Sequence, residues 1–223
     1  MKTRRKPRKL KLAVEIIIGA LLLALFVSLG IVLYNEYHMS KNRPARQQLV
    51  QARTDVDETI ITDKQKTDYT VAPDRPRYLS IAKLGIKNAR ILPVGIEKNN
   101  ELGTPLNIFD VGWYNASGLP GRGGVMLMDG HNGGPTMDGV FKHLDTLAVG
   151  DEIVVERGDG EMFTYQVADT KIMKVKEASA YMGSMTVSAE PGKEGLNLIT
   201  CTGNWINSQA TYDARVMLRA VLK

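Results

Sequence analysis

One cysteine in 223 residues excludes an internal disulfide, because a bridge needs two. It also excludes a cage of several thiolates around a metal ion. No HExxH pattern and no close cluster of histidine and aspartate offers metal-dependent hydrolysis another route. Internal repeats and low-complexity tracts are missing. Outside the first eleven residues a positive charge surplus is missing too. The chain carries +5 in all, but "MKTRRKPRKLK" holds seven basic residues and no acidic one, so +5 less 7 leaves −2 for the rest. The basic balance therefore reports topology and gives no footprint for nucleic acid.

The basic tail leads into a run of nineteen uncharged residues, "IIIGALLLALFVSLGIVLY", at 16–34. At about 1.5 Å per residue a helix of that length approaches the roughly 30 Å of a bilayer core. Residues 1–11 are expected as a cytoplasmic tail and 12–34 as a single transmembrane anchor. Basic residues mark the cytoplasmic side, so the remainder is expected outside the cell membrane. A cleaved signal peptide would carry a shorter apolar region and a small-residue cleavage site, and "VLYNEYHMS" supplies none. Residues 35–76 are polar, with prolines at 44, 73 and 76, and read as an extracellular tether. Residues 77–223 are long enough for one domain with its own core.

That domain reads as all-β. "YLSIAKLGI", "ARILPVGI", "GGVMLMDG", "LNLITC" and "DARVMLRAVL" are short apolar runs bounded by turn residues. "DEIVVERGDGEMFTYQVADTKIMKV" reads as a hairpin about the turn "RGDG". "GVFKHLDTL" reads as a short helix, with Phe141, Leu144 and Leu147 at helical spacing. At least seven strands with few helices point to a β-barrel or sandwich.

Of three histidines, His38 falls in the tether and His143 in the short helix. His131 follows the run "VMLMDG", where a strand end can present an imidazole at a rim. Cys201 closes the run "LNLIT", and "TGNW" after it reads as a loop. Arg215 heads the final strand, which would return antiparallel and bring it near Cys201. A thiol with an imidazole supports nucleophilic acyl transfer, and an arginine beside them can stabilise an oxyanion. At reference pKa values of about 8.5 and 6.5, the thiolate–imidazolium pair would be populated on the order of 1%.

These residues, in this order, resemble the sortases, cysteine transpeptidases of the outer membrane face. The family's TLxTC pattern is met by "NLITC" at 197–201, with Asn197 in place of the usual threonine. Its histidine motif is met by "MLMDGH", and its arginine by Arg215 in "YDARVML". "GVFKHLDTLAVGDEIVV" resembles the stretch between, and "VGWYNASGLPGRGG" is most similar to class E and class F members. The resemblance covers roughly 78–223. It implies an eight-stranded barrel with short helices and a catalytic set of His131, Cys201 and Arg215. Thr200 and Thr202, flanking the cysteine, become candidates for substrate binding. The implied substrate is a surface protein with a C-terminal LPxTG-like sorting signal, cleaved after threonine and held as a thioester. The implied acceptor is an amine of a peptidoglycan precursor or a pilin lysine.

Two other readings use the same residues differently. A cysteine peptidase or amidase would pass the thioester to water, and an anchored binding module would leave Cys201 inert. No cofactor is expected. Some sortases bind calcium, but Glu156, Asp159 and Glu161 read better as a solvated hairpin turn than as a metal site.

Overall fold

The computed structural model describes residues 28–30, 56–98 and 101–223. The expected tail, most of the expected anchor, His38 and the first part of the expected tether lie outside the described residues. Among the described residues no helix is long and apolar enough to cross a membrane.

Eight strands close into a barrel: β1 (Pro76–Ile81), β2 (Ile86–Val94), β3 (Val111–Tyr114), β4 (Val125–Gly130), β5 (Glu152–Arg157), β6 (Met162–Lys174), β7 (Gly195–Ile206) and β8 (Thr211–Leu222). Around the wall the order is β1-β2-β3-β4-β7-β8-β6-β5. All pairings are antiparallel except β2 with β3 and β4 with β7. Side chains of a strand alternate between faces. On β8 the residues Ala214, Val216, Leu218 and Ala220 fill the interior, so Arg215, Met217 and Arg219 fall on the outer face. Leu79, Ile81, Met126, Met128, Leu196 and Leu198 complete much of the same core.

The hairpin expected around "RGDG" is present as β5 and β6. Residues 139–147 differ from expectation. They form successive turns and one short 3-10 turn, Leu144–Thr146, rather than an α-helix. Phe141, Leu144 and Leu147 still point into the core, and their burial drives the segment inward. The helical spacing thus reported burial correctly and conformation wrongly.

The helices that do form lie elsewhere. α1 (Asp63–Thr67) starts in a capping box: Thr62 accepts from the Gln65 amide, and the Gln65 side chain accepts from the Thr62 amide. α2 (Val175–Met185) lays Ala178, Met182 and Met185 against Leu127, Ile199 and Met217 on the outer face of β4, β7 and β8. Its last carbonyls need partners. The buried Asn197 amide donates to Met185 O at 2.8 Å and to Val187 O at 3.1 Å. The asparagine that replaces the usual motif threonine therefore anchors a helix end.

The expected tether is partly domain. Asp57 N donates to Leu106 O and Ile108 N to Asp57 O. Glu58 accepts from the amides of Thr136 and Met137, both at 2.8 Å, and from the Thr136 hydroxyl. Tyr69 donates its hydroxyl to Ile91 O. Polar contacts do this docking, so no apolar stripe in the sequence announces it.

Candidate active site

His131 comes directly after β4, at the rim where the sequence placed it. Gly130 before it must be glycine: an added Cβ would lie 2.7 Å from the Phe141 ring. His131 O accepts from Phe141 N at 3.0 Å. On the parallel neighbour β7, the Thr200 hydroxyl donates to Gly130 O at 2.8 Å. Thr200 is buried. Its hydroxyl thereby helps to hold the end of β4. Thr202 pairs with Ala214 and does not line the cleft.

Cys201 and Arg215 are direct cross-strand partners on β7 and β8. Such partners hold their Cβ atoms about 4.5–5.5 Å apart on one face. Cys201 does not end its strand, as expected, nor does Arg215 begin one. "TGNW" is a bulge inside the hairpin: Gly203 takes a φ of 88°, and the Asp213 carboxylate accepts from Asn204 N at 2.8 Å. An added Cβ at Gly203 would lie 2.1 Å from that carboxylate. The chain then continues as strand to Ile206.

The two strands and the loops around them enclose a cleft of about 830 Å³. Asp129, His131, Thr200, Cys201 and Arg215 line it, with Trp205 and Tyr212 from the hairpin. The last two meet edge to face, ring centroids 5.2 Å apart. His143 is exposed and lines a different pocket. Arg219, four residues beyond Arg215, is drawn away by Asp169 at 3.1 Å.

Arg215 donates from Nη1 to Tyr212 O and Ala214 O, both at 2.9 Å, and from Nη2 to the Thr211 hydroxyl at 3.0 Å. A guanidinium has five N–H donors. Three are spent on the hairpin, which leaves two and fixes the plane of the group. Thr211 also favours the thiolate of Cys201, with Arg215 the larger influence. The sequence reading missed it. The signal was its position four residues before Arg215, on the same face of one strand.

Electrostatics keep the resting pair neutral. Burial pushes the Cys201 thiol above its ordinary 9.0. Arg215 opposes this, and the carboxylates of Asp129 and Glu101 add to it. Burial also pushes His131 below its ordinary 6.5, offset in part by its hydrogen bond to Pro105 O. The two shifts widen the gap between the groups, so the thiolate–imidazolium form falls below the ~1% expected from unshifted values. Arg215 is the nearby charge that favours the thiolate.

The carboxylates weighed as a calcium site are held by arginines. Asp159 and Glu161 both pair with Arg157, and Asp159 is thereby lowered to about 2. Glu156 lies 3.6 Å from Arg77.

The family model described as the Sortase domain matches residues 79–223. The chain belongs to the sortase family. It is a cysteine transpeptidase of that family, with the eight-stranded barrel the sequence led us to expect. Similar solved structures are sortases as well. The sortase C2 of Group B Streptococcus Pilus Island 1 is 16% identical at a TM-score of 0.50, covering 81% of this chain and 96% of that one. Streptococcus agalactiae sortase C1 is 21% identical at 0.49, covering 81% and 85%. The SrtA sortase from Actinomyces oris is 19% identical at 0.47, covering 69% and 83%. At these identities the likeness bears on the fold alone. No curated protein matches the sequence.

Proposed function

We propose that this sortase is a membrane-anchored enzyme of the outer cell surface that cleaves an LPxTG-like sorting signal after threonine and passes the acyl group to an amine. The register of Cys201 opposite Arg215, on the cleft that His131 also lines, carries the reading. Residues 12–34 serve as the anchor, with the basic tail in the cytoplasm. Anchoring concentrates a slow catalyst beside its substrates.

The thiolate of Cys201 attacks the threonine carbonyl carbon. The oxyanion of the tetrahedral intermediate takes the two uncommitted Arg215 donors. The intermediate collapses as the His131 imidazolium gives its proton to the departing glycine amine, leaving a thioester on Cys201. An incoming amine attacks that thioester and loses its proton to His131, and the thiolate leaves. Peptidoglycan cross-bridge amines and pilin lysines both suit this second half.

The test is incubation of the full chain in detergent with a sorting peptide, with and without an amine nucleophile, and then intact mass analysis. An acyl adduct on Cys201 and an amine-linked product are expected, and Cys201→Ala should form neither. Turnover by Cys201→Ala would remove the reading. A product formed with water alone, even at high amine concentration, would make the enzyme a hydrolase. Arg215→Ala and Arg215→Lys should each slow single-turnover acylation by about 10²–10³. Lysine keeps the charge and loses the fork.

A further inference from the structure

The strand that delivers His131 carries a second titratable group that the acyl-transfer steps do not use. Asp129 lies two residues before the histidine and is only 9% exposed. It sits on the outer face of β4, opposite Gly112 of β3. One carboxyl oxygen, Oδ2, accepts from the Thr104 hydroxyl at 2.5 Å. The other, Oδ1, is buried and has no hydrogen-bond partner among the described residues. It lies 2.3 Å from where a Cβ on Gly112 would be. Glycine at 112 is thus what admits the carboxyl to the wall. A buried, half-satisfied carboxyl is costly to keep for packing alone.

Thr104 belongs to the crossover between the parallel strands β2 and β3. The next residue, Pro105, is buried, and its carbonyl lies 2.7 Å from His131 Nε2. A carbonyl only accepts, so Nε2 carries the hydrogen. In the neutral ring Nδ1 is then the basic nitrogen. Two consecutive residues of one strap therefore grip two residues of one strand end.

We propose that Asp129 is a positioning residue for acyl transfer: through Thr104 it pins the strap whose Pro105 carbonyl holds His131 in the Nε2–H tautomer. This rests on His131 being the acid and base of the reaction. The carboxyl acts at one remove. It fixes the strap, the strap fixes the ring, and the ring presents a defined basic nitrogen. Asparagine at 129 retains an acceptor for Thr104 and should serve, whereas alanine should not.

The experiment uses the full chain in detergent. Single-turnover acylation of a sorting peptide gives the rate and the peptide's half-saturation. Long-range proton–nitrogen correlations of the histidine rings at pH 7 give the tautomer, with His131 assigned by its loss in His131→Gln. Asp129→Ala and Thr104→Val should each slow maximal acylation roughly tenfold, as small misplacements of a reacting group do. Half-saturation should stay unchanged, and the His131 signals should shift toward a mixture of tautomers. The double variant should be no slower than the slower single one, because both cut the same linkage. Asp129→Asn should stay within about threefold of the parent, the acceptor being kept. Wild-type rate and an unmoved tautomer in Asp129→Ala and Thr104→Val would overturn the proposal. So would a loss seen only in half-saturation. His131→Ala separates the two layers: an active His131→Ala overturns the acid–base reading beneath, whereas an inactive one beside normal Asp129 and Thr104 variants overturns the positioning role alone. Should Asp129→Ala fail to fold, Thr104→Val decides, since its side chain is exposed.

Discussion

Two buried carboxylates flank the same pair of parallel strands and are treated in opposite ways. Glu194 sits just before β7, where Gly195 pairs with Val125. Asp129 sits near the far end of β4, paired with Ile199. Both are under 10% exposed. Glu194 accepts from Gly121 N at 2.9 Å, Gly123 N at 2.8 Å and the Tyr165 hydroxyl at 2.5 Å. It thereby closes the turn "LPGRGG", and burial, together with the hydrogen bond to Glu194, pushes the Tyr165 phenol far above its ordinary 10.0. Asp129 has one donor and one orphaned oxygen. Burial with so little compensation pushes it up to about 7. One end of the strand pair is satisfied and rigid. The other keeps an imperfectly solvated acid on the cleft that the thiol and the imidazole also line.

The largest effect that could break this contrast is the pH dependence of stability. Asp129 has a folded pKa raised to about 7 from 3.8. A raised carboxyl contributes stability that is fully present below the unfolded value and lost as pH climbs through the folded one. Over that window the loss reaches about 4 kcal/mol for one group. Asp129→Asn removes the titration, so its stability should fall less between pH 4 and pH 8 than the parent's. Urea unfolding at the two pH values measures this, and equal slopes would show that Asp129 is satisfied after all. Next comes Glu194→Ala. It strips a charged acceptor from Tyr165 and two amides, at about 1.5–3 kcal/mol for a hydrogen bond to a charged group. A loss of about 3 kcal/mol is expected, with acylation per folded molecule unchanged. A kinetic loss without a stability loss would reverse the roles of the two carboxylates.

The strands were legible because alternation of apolar and polar residues reports a half-buried wall, as β8 does from Ala214 to Ala220. The pairing of Cys201 with Arg215 was legible because two apolar runs joined by a short connection return antiparallel. The length of β7 was hidden by "TGN". Those residues look like loop, yet Gly203 and Asp213 build a bulge that lets the strand go on. α2 was hidden because its buried stripe of Ala178, Met182 and Met185 is thin and interrupted by Gly183 and Ser184. Asp129 could have been noticed as the lone acid in "VMLMDGH". Its partner Thr104 could not, because the contact joins residues 25 apart through a crossover that only the closed barrel brings together.

The smallest expected effect is the sharpest test of the end that lines the cleft. Thr104→Val removes the one hydroxyl donor to Asp129 among the described residues, at an exposed position. The Thr104 hydrogen bond lowers the Asp129 pKa, so its removal must raise that pKa further above 3.8. At pH 5 the carboxyl is mostly protonated with or without the hydroxyl, and the variant should match the parent. At pH 9 the parent holds a carboxylate that the hydroxyl helps to solvate, and the variant should be less stable by about 1 kcal/mol. The difference must therefore open with rising pH. A constant difference would mean that Thr104 contributes only packing. A difference that opened toward acid would mean that the hydroxyl favours the protonated acid over the carboxylate, the reverse of the hydrogen bond from Thr104 to a charged Asp129.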